Sequence, residues 1–218
     1  MTINAFPPGL VLILGAFLLP FAGRRLRPVV ILALPLAALW LVWGVEDGPA
    51  LVVPFLDYQL EPLRGDRLSR LFATIFTIMA FAGGMFALNH RKVIELVAAF
   101  IYAGSAVGVT MAGDLITVFA FWEVMAVAST LIVWSARTEQ AYRSSMRYIM
   151  IHLLGGVILM IGIIAQVADT GSVAFVAMTP HSFATWMILF GFVINAGAPP
   201  LSAWLPDAYP ESSYSGMV

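Results

Sequence analysis

Glu123 lies near the middle of DLITVFAFWEVMAVASTLIVW, residues 114–134, an apolar run long enough to cross a bilayer. A carboxylate at bilayer depth is unfavourable by roughly 2.5–3.5 kcal/mol on insertion scales, so an acid there is by default a group with a task. The chemistry open to it is to bind and release a proton or to hold a cation. On a helix it shares a face with Ile116, Phe119, Ala120, Ala126, Val127 and Thr130. Three of these are Ala or Thr, small residues that let membrane helices approach closely, so Glu123 is expected to face the interior of a bundle. The plain alternative is a protonated or hydrogen-bonded packing carboxyl that carries no traffic.

Two further positions could serve the same chemistry. His152 stands in RYIMIHLLGGV, one turn after Tyr148 and just before Gly155 and Gly156, which leave a gap beside it. An imidazole between a basic loop and the membrane interior suits a proton relay. A neutral histidine bonded to a neighbouring helix accounts for it equally well. Asn195 precedes a break in FGFVINAGAPPLSAWLPDAYPE, where Gly197, Pro199 and Pro200 cannot continue a regular helix because each proline removes a backbone donor. Broken helices persist in membranes only where protein or a cavity satisfies the freed groups, and they often mark ion paths. A bare proline kink without an ion path is the alternative here.

The elements that must position these residues follow from composition. Of 218 residues, 61% are hydrophobic and 11% charged, and the mean hydropathy is +0.94. Soluble domains carry about 25% charged residues, so this is an all-α polytopic membrane protein, its runs lacking the two-residue alternation of a barrel. The formal charge of −1 offers no basic stripe for nucleic acid, and with no cysteine there is no disulfide framework, thiolate metal site or Cys-ligated cluster. The amino-terminal run lacks the basic start of a secretory signal.

By length, about seven transmembrane helices are expected, at roughly 7–22, 29–45, 68–88, 93–112, 115–134, 148–168 and 183–201, the seventh broken at Gly197–Pro200. Arg24, Arg25 and Arg27, then Arg91 and Lys92, then Arg137, Arg143 and Arg147 fill alternate connections, which places all three on the cytoplasmic side and the amino terminus outside. This is the pattern of a multi-pass protein of the cell inner (plasma) membrane. Glu46, Asp47, Asp57, Glu61 and Asp66 outnumber Arg64 and Arg67 in the long connection on the other side. Asp114 and Asp169 are expected at helix ends, and Glu95, a turn inside the fourth span, either snorkels to the surface or lines an entry path. Trp122, Trp134, Trp186 and Trp204 read as packing or interfacial residues. No low-complexity linker or internal repeat divides the chain, so residues 1–218 form a single membrane domain. The sequence stops as GMV could begin another span, as a piece of a longer chain would.

The order of these motifs resembles a known family. DLITVFAFWEVM is similar to the fifth-helix motif of the antiporter-like membrane subunits of respiratory complex I and of the Mrp-type sodium/proton antiporters. The likeness runs through GDRLSRLFATIF and AYRSSMRYIMIHLLGGVILMIGI to PPLSAWLPDAYPE, close to the family's Trp-Leu-Pro-Asp-Ala signature. It covers about residue 66 to the end. It implies a fourteen-helix antiporter-like fold of two inverted five-helix repeats with broken seventh and twelfth helices. Residues 1–92 would then be introductory helices, and 93–218 most of the first repeat.

The resemblance also implies roles. The family's fifth-helix glutamate, carried over to Glu123, pairs with a seventh-helix lysine to gate proton movement. The lysine position, counted back from Trp204, holds Asn195, and the histidine often found two residues before the tryptophan is Ser202. Glu123, His152 and Asn195 are thus the candidate proton- or ion-transfer residues, with no catalytic, cofactor or metal residue and no cofactor. The expected function is a proton- or cation-translocating subunit of a multi-subunit Na+/H+ antiporter or redox-driven pump such as an NADH:quinone oxidoreductase-like complex. It would be a transport subunit rather than an enzyme by itself. Its partners would be other membrane subunits, lipid, and protons or Na+. A structural, non-conducting subunit is the alternative that Asn195 favours.

Overall fold

Asp66 starts the third apolar run with a reciprocal cap. Its Oδ1 accepts from the amides of Leu68 and Ser69, both at 2.8 Å, and Ser69 Oγ accepts from the Asp66 amide at 2.9 Å. Asp114, Thr138 and Ser182 cap three later helices, each accepting from the amide three residues on, and of these only the Ser182 cap is reciprocal. The computed structural model describes residues 6–89 and 92–213; Arg91 of the second basic connection and the final GMV lie outside these. In order it contains α1 (Pro8–Ala16), α2 (Arg27–Gly44), the strands β1 (Gly48–Phe55) and β2 (Tyr58–Gly65), and α3 (Arg67–Phe86). Then follow α4 (Val93–Met111), α5 (Leu115–Trp134), α6 (Glu139–Thr170), α7 (Phe183–Asn195) and the short α8 (Trp204–Ala208).

Among the described residues five helices, α2 to α6, are long and apolar enough to cross a membrane, against the seven expected spans. The first expected span contains a helix of only nine residues. Pro20 has no amide to donate to Ala16 and its ring crowds that carbonyl. The chain after Ala16 therefore turns through tighter bonds, Leu18 N to Gly15 O and Leu19 N to Ala16 O. The seventh run is helical only to Asn195. Gly197 then adopts φ +65°, a left-handed conformation open to glycine, and Pro199–Pro200 follow before α8. The sixth helix is longer than expected, starting at Glu139. Its 32 residues make about 48 Å at ~1.5 Å each, so its basic first turns project beyond a ~30 Å hydrocarbon layer.

The strands are the second departure from expectation. They pair antiparallel around a turn at Leu56 and Asp57, making a hairpin in a chain otherwise helical. Three strand prolines, Pro49, Pro54 and Pro62, are tolerable because a two-stranded ribbon is all edge. The hairpin clamps one end of the bundle. The Glu61 amide donates to Asp114 Oδ2 at 2.8 Å, Gly113 N to Glu61 O at 2.9 Å, and Phe175 N to Gly113 O at 2.9 Å.

Small residues set the helix spacing. A methyl on Gly104 would lie 2.5 Å from the Gly9 carbonyl, and one on Gly162 would lie 2.6 Å from the Ile188 amide. These close approaches bring α1 onto α4 and α6 onto α7. Leu12, Ile31, Val107 and Met111 fill the core of the first four helices, and Leu115, Leu159, Ile163 and Ile188 that of α5 to α7. Trp40, Trp43, Ile78, Leu154 and Ile164 point outward and exposed, as befits lipid-facing surface.

The contacts divide the bundle into two ends. Lys92 Nζ donates to Ser135 O at 2.7 Å, and Arg147 bonds Asp207 beyond α7, which puts the starts of α4 and α6 and the end of α5 together. Arg27, at the start of α2, belongs to that end by the antiparallel order, and the hairpin marks the opposite one. Single cysteines at Arg25 and Asp57, both exposed, should therefore label from opposite sides in intact cells, cleanly because the chain has no native cysteine. Equal labelling of both from outside would refute the arrangement.

Candidate proton or cation site at the broken helix

Asn195 is the last helical residue of α7, placed there by the Gly197 turn that follows it, and it is 7% exposed. Its amide reaches α6 where a side chain is missing, since a methyl on Gly155 would lie 2.2 Å from it. Oriented to satisfy its surroundings, the amide donates to the His152 carbonyl at 3.3 Å and accepts from the Trp122 indole. Asn195 thus ties α5, α6 and α7 together in the middle of the bundle.

Glu123 comes to the next residue of the same helix. A methyl on Gly156 would lie 2.0 Å from Glu123 Oε1, which is buried and has no hydrogen-bond partner among the described residues. The residue as a whole is half-buried. Ala126 and Thr130 on its face are covered, as expected, but Ala120 and Val127 are exposed. Its carboxyl is therefore tucked into the α5–α6 seam while the helix face beside it stays open. An orphaned carboxyl oxygen is costly unless water, a proton or a cation reaches it.

His152, 6% exposed, is held by its own helix and by aromatic rings. Its Nδ1 lies 3.1 Å from the Tyr148 carbonyl, so the proton on Nδ1 is donated there and Nε2 is left as the acceptor. The ring stacks on Tyr148 with centroids 4.0 Å apart and meets Trp204 edge-on at 4.7 Å. Tyr148 in turn donates to Ser129 Oγ of α5 at 2.8 Å.

Trp122, Ser129, Tyr148, His152, Asn195 and Trp204 all border one cavity of about 500 Å³, far above the ~10–15 Å³ that one water needs on a similar measure. The buried Trp204 Nε1 has no partner among the described residues and would be satisfied by water there. Glu123 is not among the lining residues; its neighbour Trp122 is. His152 and Asn195 share the cavity, while Glu123 is linked to them through the adjacent glycines of α6. The helix break at Gly197, Pro199 and Pro200 lets α8 fold back so that Trp204 can close this space.

Several residues here make contacts that their sequence positions do not disclose. Trp204 and Trp122, read as packing residues, bond or stack on the candidates. Glu95 does not snorkel: it is 2% exposed and lines the cavity, held by Ser135 Oγ at 2.8 Å. Asp207 was hidden in the signature near the chain's end. Arg147 grips both its oxygens, Nε to Oδ2 at 2.7 Å and Nη2 to Oδ1 at 2.6 Å, with Ser144 adding a longer contact of 3.3 Å.

Residues 112–218 match the family described as NADH:quinone oxidoreductase/Mrp antiporter, TM. The chain is similar to a Na(+)/H(+) antiporter subunit of Alkalihalophilus pseudofirmus, 23% identical over 90% of this chain and 45% of that one. In fold it is similar to a chain of the Mrp complex from a Dietzia species, with a TM-score of 0.77 at 23% identity over 100% of this chain and 45% of the other. A chain of the membrane-bound sulfane sulfur reductase, an archaeal respiratory membrane complex, gives 0.79 at 19% identity, covering 99% and 49%. The chain spans between 21% and 45% of the length of curated relatives it matches.

The hydrogen bonds from Arg147 hold the Asp207 carboxyl below its ordinary value of 3.8, with the charge of Arg147 adding to the effect. A lowered folded-state value means that the contribution to stability is present above about 3.8 and is lost as pH falls through the lower, folded value. Asp207 therefore stays ionised throughout neutral and mildly acidic conditions. Hydrogen-exchange protection of residues 201–209 should be level down to about pH 4 and drop in stronger acid. Asp207→Asn should lower that protection several-fold at pH 7 and abolish the acid step; an unchanged acid step would assign it to another group.

Proposed function

We propose that this chain, a member of the NADH:quinone oxidoreductase/Mrp antiporter family through residues 112–218, is part of a proton- or cation-translocating subunit of a multi-subunit antiporter or redox-driven pump. The observation that carries this reading is the buried, unpartnered Oε1 of Glu123 beside Gly156, within the same stretch of α6 that receives Asn195. A carboxyl so placed changes its energy sharply with the arrival of a proton or cation, which is what a translocation site requires. His152, with Nε2 as its acceptor, and a cavity of about 500 Å³ supply a route by which water and protons reach the middle of the bundle.

In this reading the Lys92 end of the bundle faces the cytoplasm, the amino terminus is outside and the membrane is the plasma membrane. The partners are lipid and the other membrane subunits of the complex, the cargo is protons or Na+, and any redox chemistry belongs to those partners. A second reading is a structural, non-conducting subunit. It is favoured by Asn195 standing where the family has a lysine, with its amide engaged by Trp122 and His152.

The test uses the full-length protein in its assembled complex, in sealed membrane vesicles. Glu123→Gln keeps the shape and removes the titrating proton, so assembly should persist while transport falls by roughly tenfold or more. Unchanged transport in a normally assembled Glu123→Gln complex would leave the structural reading. Asn195→Lys restores the family's charge beside Glu123 and should alter the pH dependence of transport as well as its rate. Identical pH profiles would show that positions 123 and 195 are not coupled.

A further inference from the structure

Glu95 is a buried carboxyl that the site around Glu123 does not use. It lies in the first turn of α4, 2% exposed, and borders the same cavity as His152 and Asn195. Ser135 at the end of α5 donates to Oε2 at 2.8 Å, and Ser213 beyond α8 donates to Oε1. Lys92, one turn away, anchors the same corner through the Ser135 carbonyl at 2.7 Å. The corner therefore joins three segments that are far apart in sequence, at the end of the cavity nearest the basic connections.

Polar side chains then recur along the cavity axis. Ser129, which accepts from Tyr148, precedes Ser135 by six residues of α5, or about 9 Å at ~1.5 Å per residue. His152 follows Tyr148 by four residues of α6, about 6 Å further. Between these levels the wall is apolar, formed by Ile132, Val133, Ala126 and Met125 among others. A gap of ~9 Å is two or three hydrogen-bonded waters, and the cavity has room for them. Among the described residues, the titratable side chains that line this cavity with Glu95 are Tyr102 further along α4, Tyr148 and His152 from α6, and Tyr209 after α8, and Lys92 caps its helix. The described cavity-lining residues of α3, α5 and α7 contribute none.

We propose that Glu95 is a second proton-binding carboxyl, a loading site at the Lys92 end of the cavity, from which protons pass through cavity water to the Tyr148–His152 stack. This rests on the translocation reading above for its direction of use, but proton binding at Glu95 stands by itself. In the loading step a hydronium at the Lys92 end gives its proton to the Glu95 carboxylate and leaves as water, and the neutral carboxyl then passes the proton to cavity water and returns to carboxylate. Ser135 and Ser213 steady the carboxyl in both states. A purely structural Glu95 would tie the same three segments together without changing protonation.

The experiment uses the full-length protein in its complex, reconstituted in liposomes, with infrared difference spectra of the carboxyl band across a pH series and pH-resolved proton flux. Glu95→Gln should assemble, lose one titrating carboxyl band and slow flux at least tenfold. Ser135→Ala, which removes a hydrogen bond but no proton site, should keep the band. Glu95→Asp should keep a titrating band and part of the flux. If the spectra of wild type and Glu95→Gln titrate identically, the proposal is overturned. If the wild-type complex moves no protons yet the Glu95 band titrates, proton binding at Glu95 stands and the translocation reading falls instead.

Discussion

Side chains from two helices reach α6 at adjacent glycines, and most of the site depends on that. A methyl on Gly155 would lie 2.2 Å from the Asn195 amide, and one on Gly156 would lie 2.0 Å from Glu123 Oε1. With any larger pair, α7 could not bring its last residue under Trp122, and α5 could not lay a carboxyl along the α5–α6 seam. Backbone hydrogen bonding within α6 is unaffected by the missing side chains, so the helix stays continuous for 32 residues while making room on two sides. The gap costs the helix roughly 1 kcal/mol per glycine relative to alanine, a modest cost beside that of leaving buried polar groups stranded.

What holds the middle open is restraint at the ends. At one end the hairpin, Asp114 and the segment at Val173–Phe175 are stitched by backbone bonds and by the Asp114 carboxylate, which accepts from the Glu61 amide, so α4, α5 and α6 cannot drift apart there. At the other, Arg147 fixes Asp207, and with it α8, to the first turns of α6. The break in α7 has its freed groups partly recaptured locally, Ala198 N to Val193 O and Leu201 N to Ala198 O. The chain is then free to fold Trp204 back onto His152 and Tyr148 rather than continue as a helix. The cavity is what remains when helices are pinned at both ends and interrupted between.

The parts legible in the sequence are those fixed by neighbours along the chain. Asp66, Asp114 and Ser182 cap helices through bonds two or three residues long, and Pro199–Pro200 ends a helix by removing donors. Glu123 stands out because an acid in an apolar run needs no partner to be conspicuous. Pro20 is equally visible, yet the apolar stretch around it masks the loss of helix, so hydropathy alone makes α1 too long. The hairpin is obscured by three prolines in its strands. Glu95, a turn inside the fourth span, fits snorkelling and lining an entry path equally well in sequence, because its bonds to Ser135 and Ser213 span 40 and 118 residues. Nor can spacing alone reveal that Asn195 bonds Trp122, a contact made only once α5 and α7 meet over Gly155.

Asn195 has a consequence beyond its lack of charge. A lysine there would bring a cation and a flexible stem to the α6 glycines, and its favourable partner would be the carboxyl at the next glycine. Asparagine instead satisfies a backbone carbonyl and an indole at once, so it binds the helices together without neutralising Glu123. The carboxyl must then find its counter-charge or proton elsewhere. The helix face beside it is bordered by the exposed Ala120, Val124 and Val127, whereas a lysine at 195 would supply a cation from within. Asn195 thus ties α7 to α5 and α6 and leaves the electrostatic demand of Glu123 unmet from within this bundle's described residues.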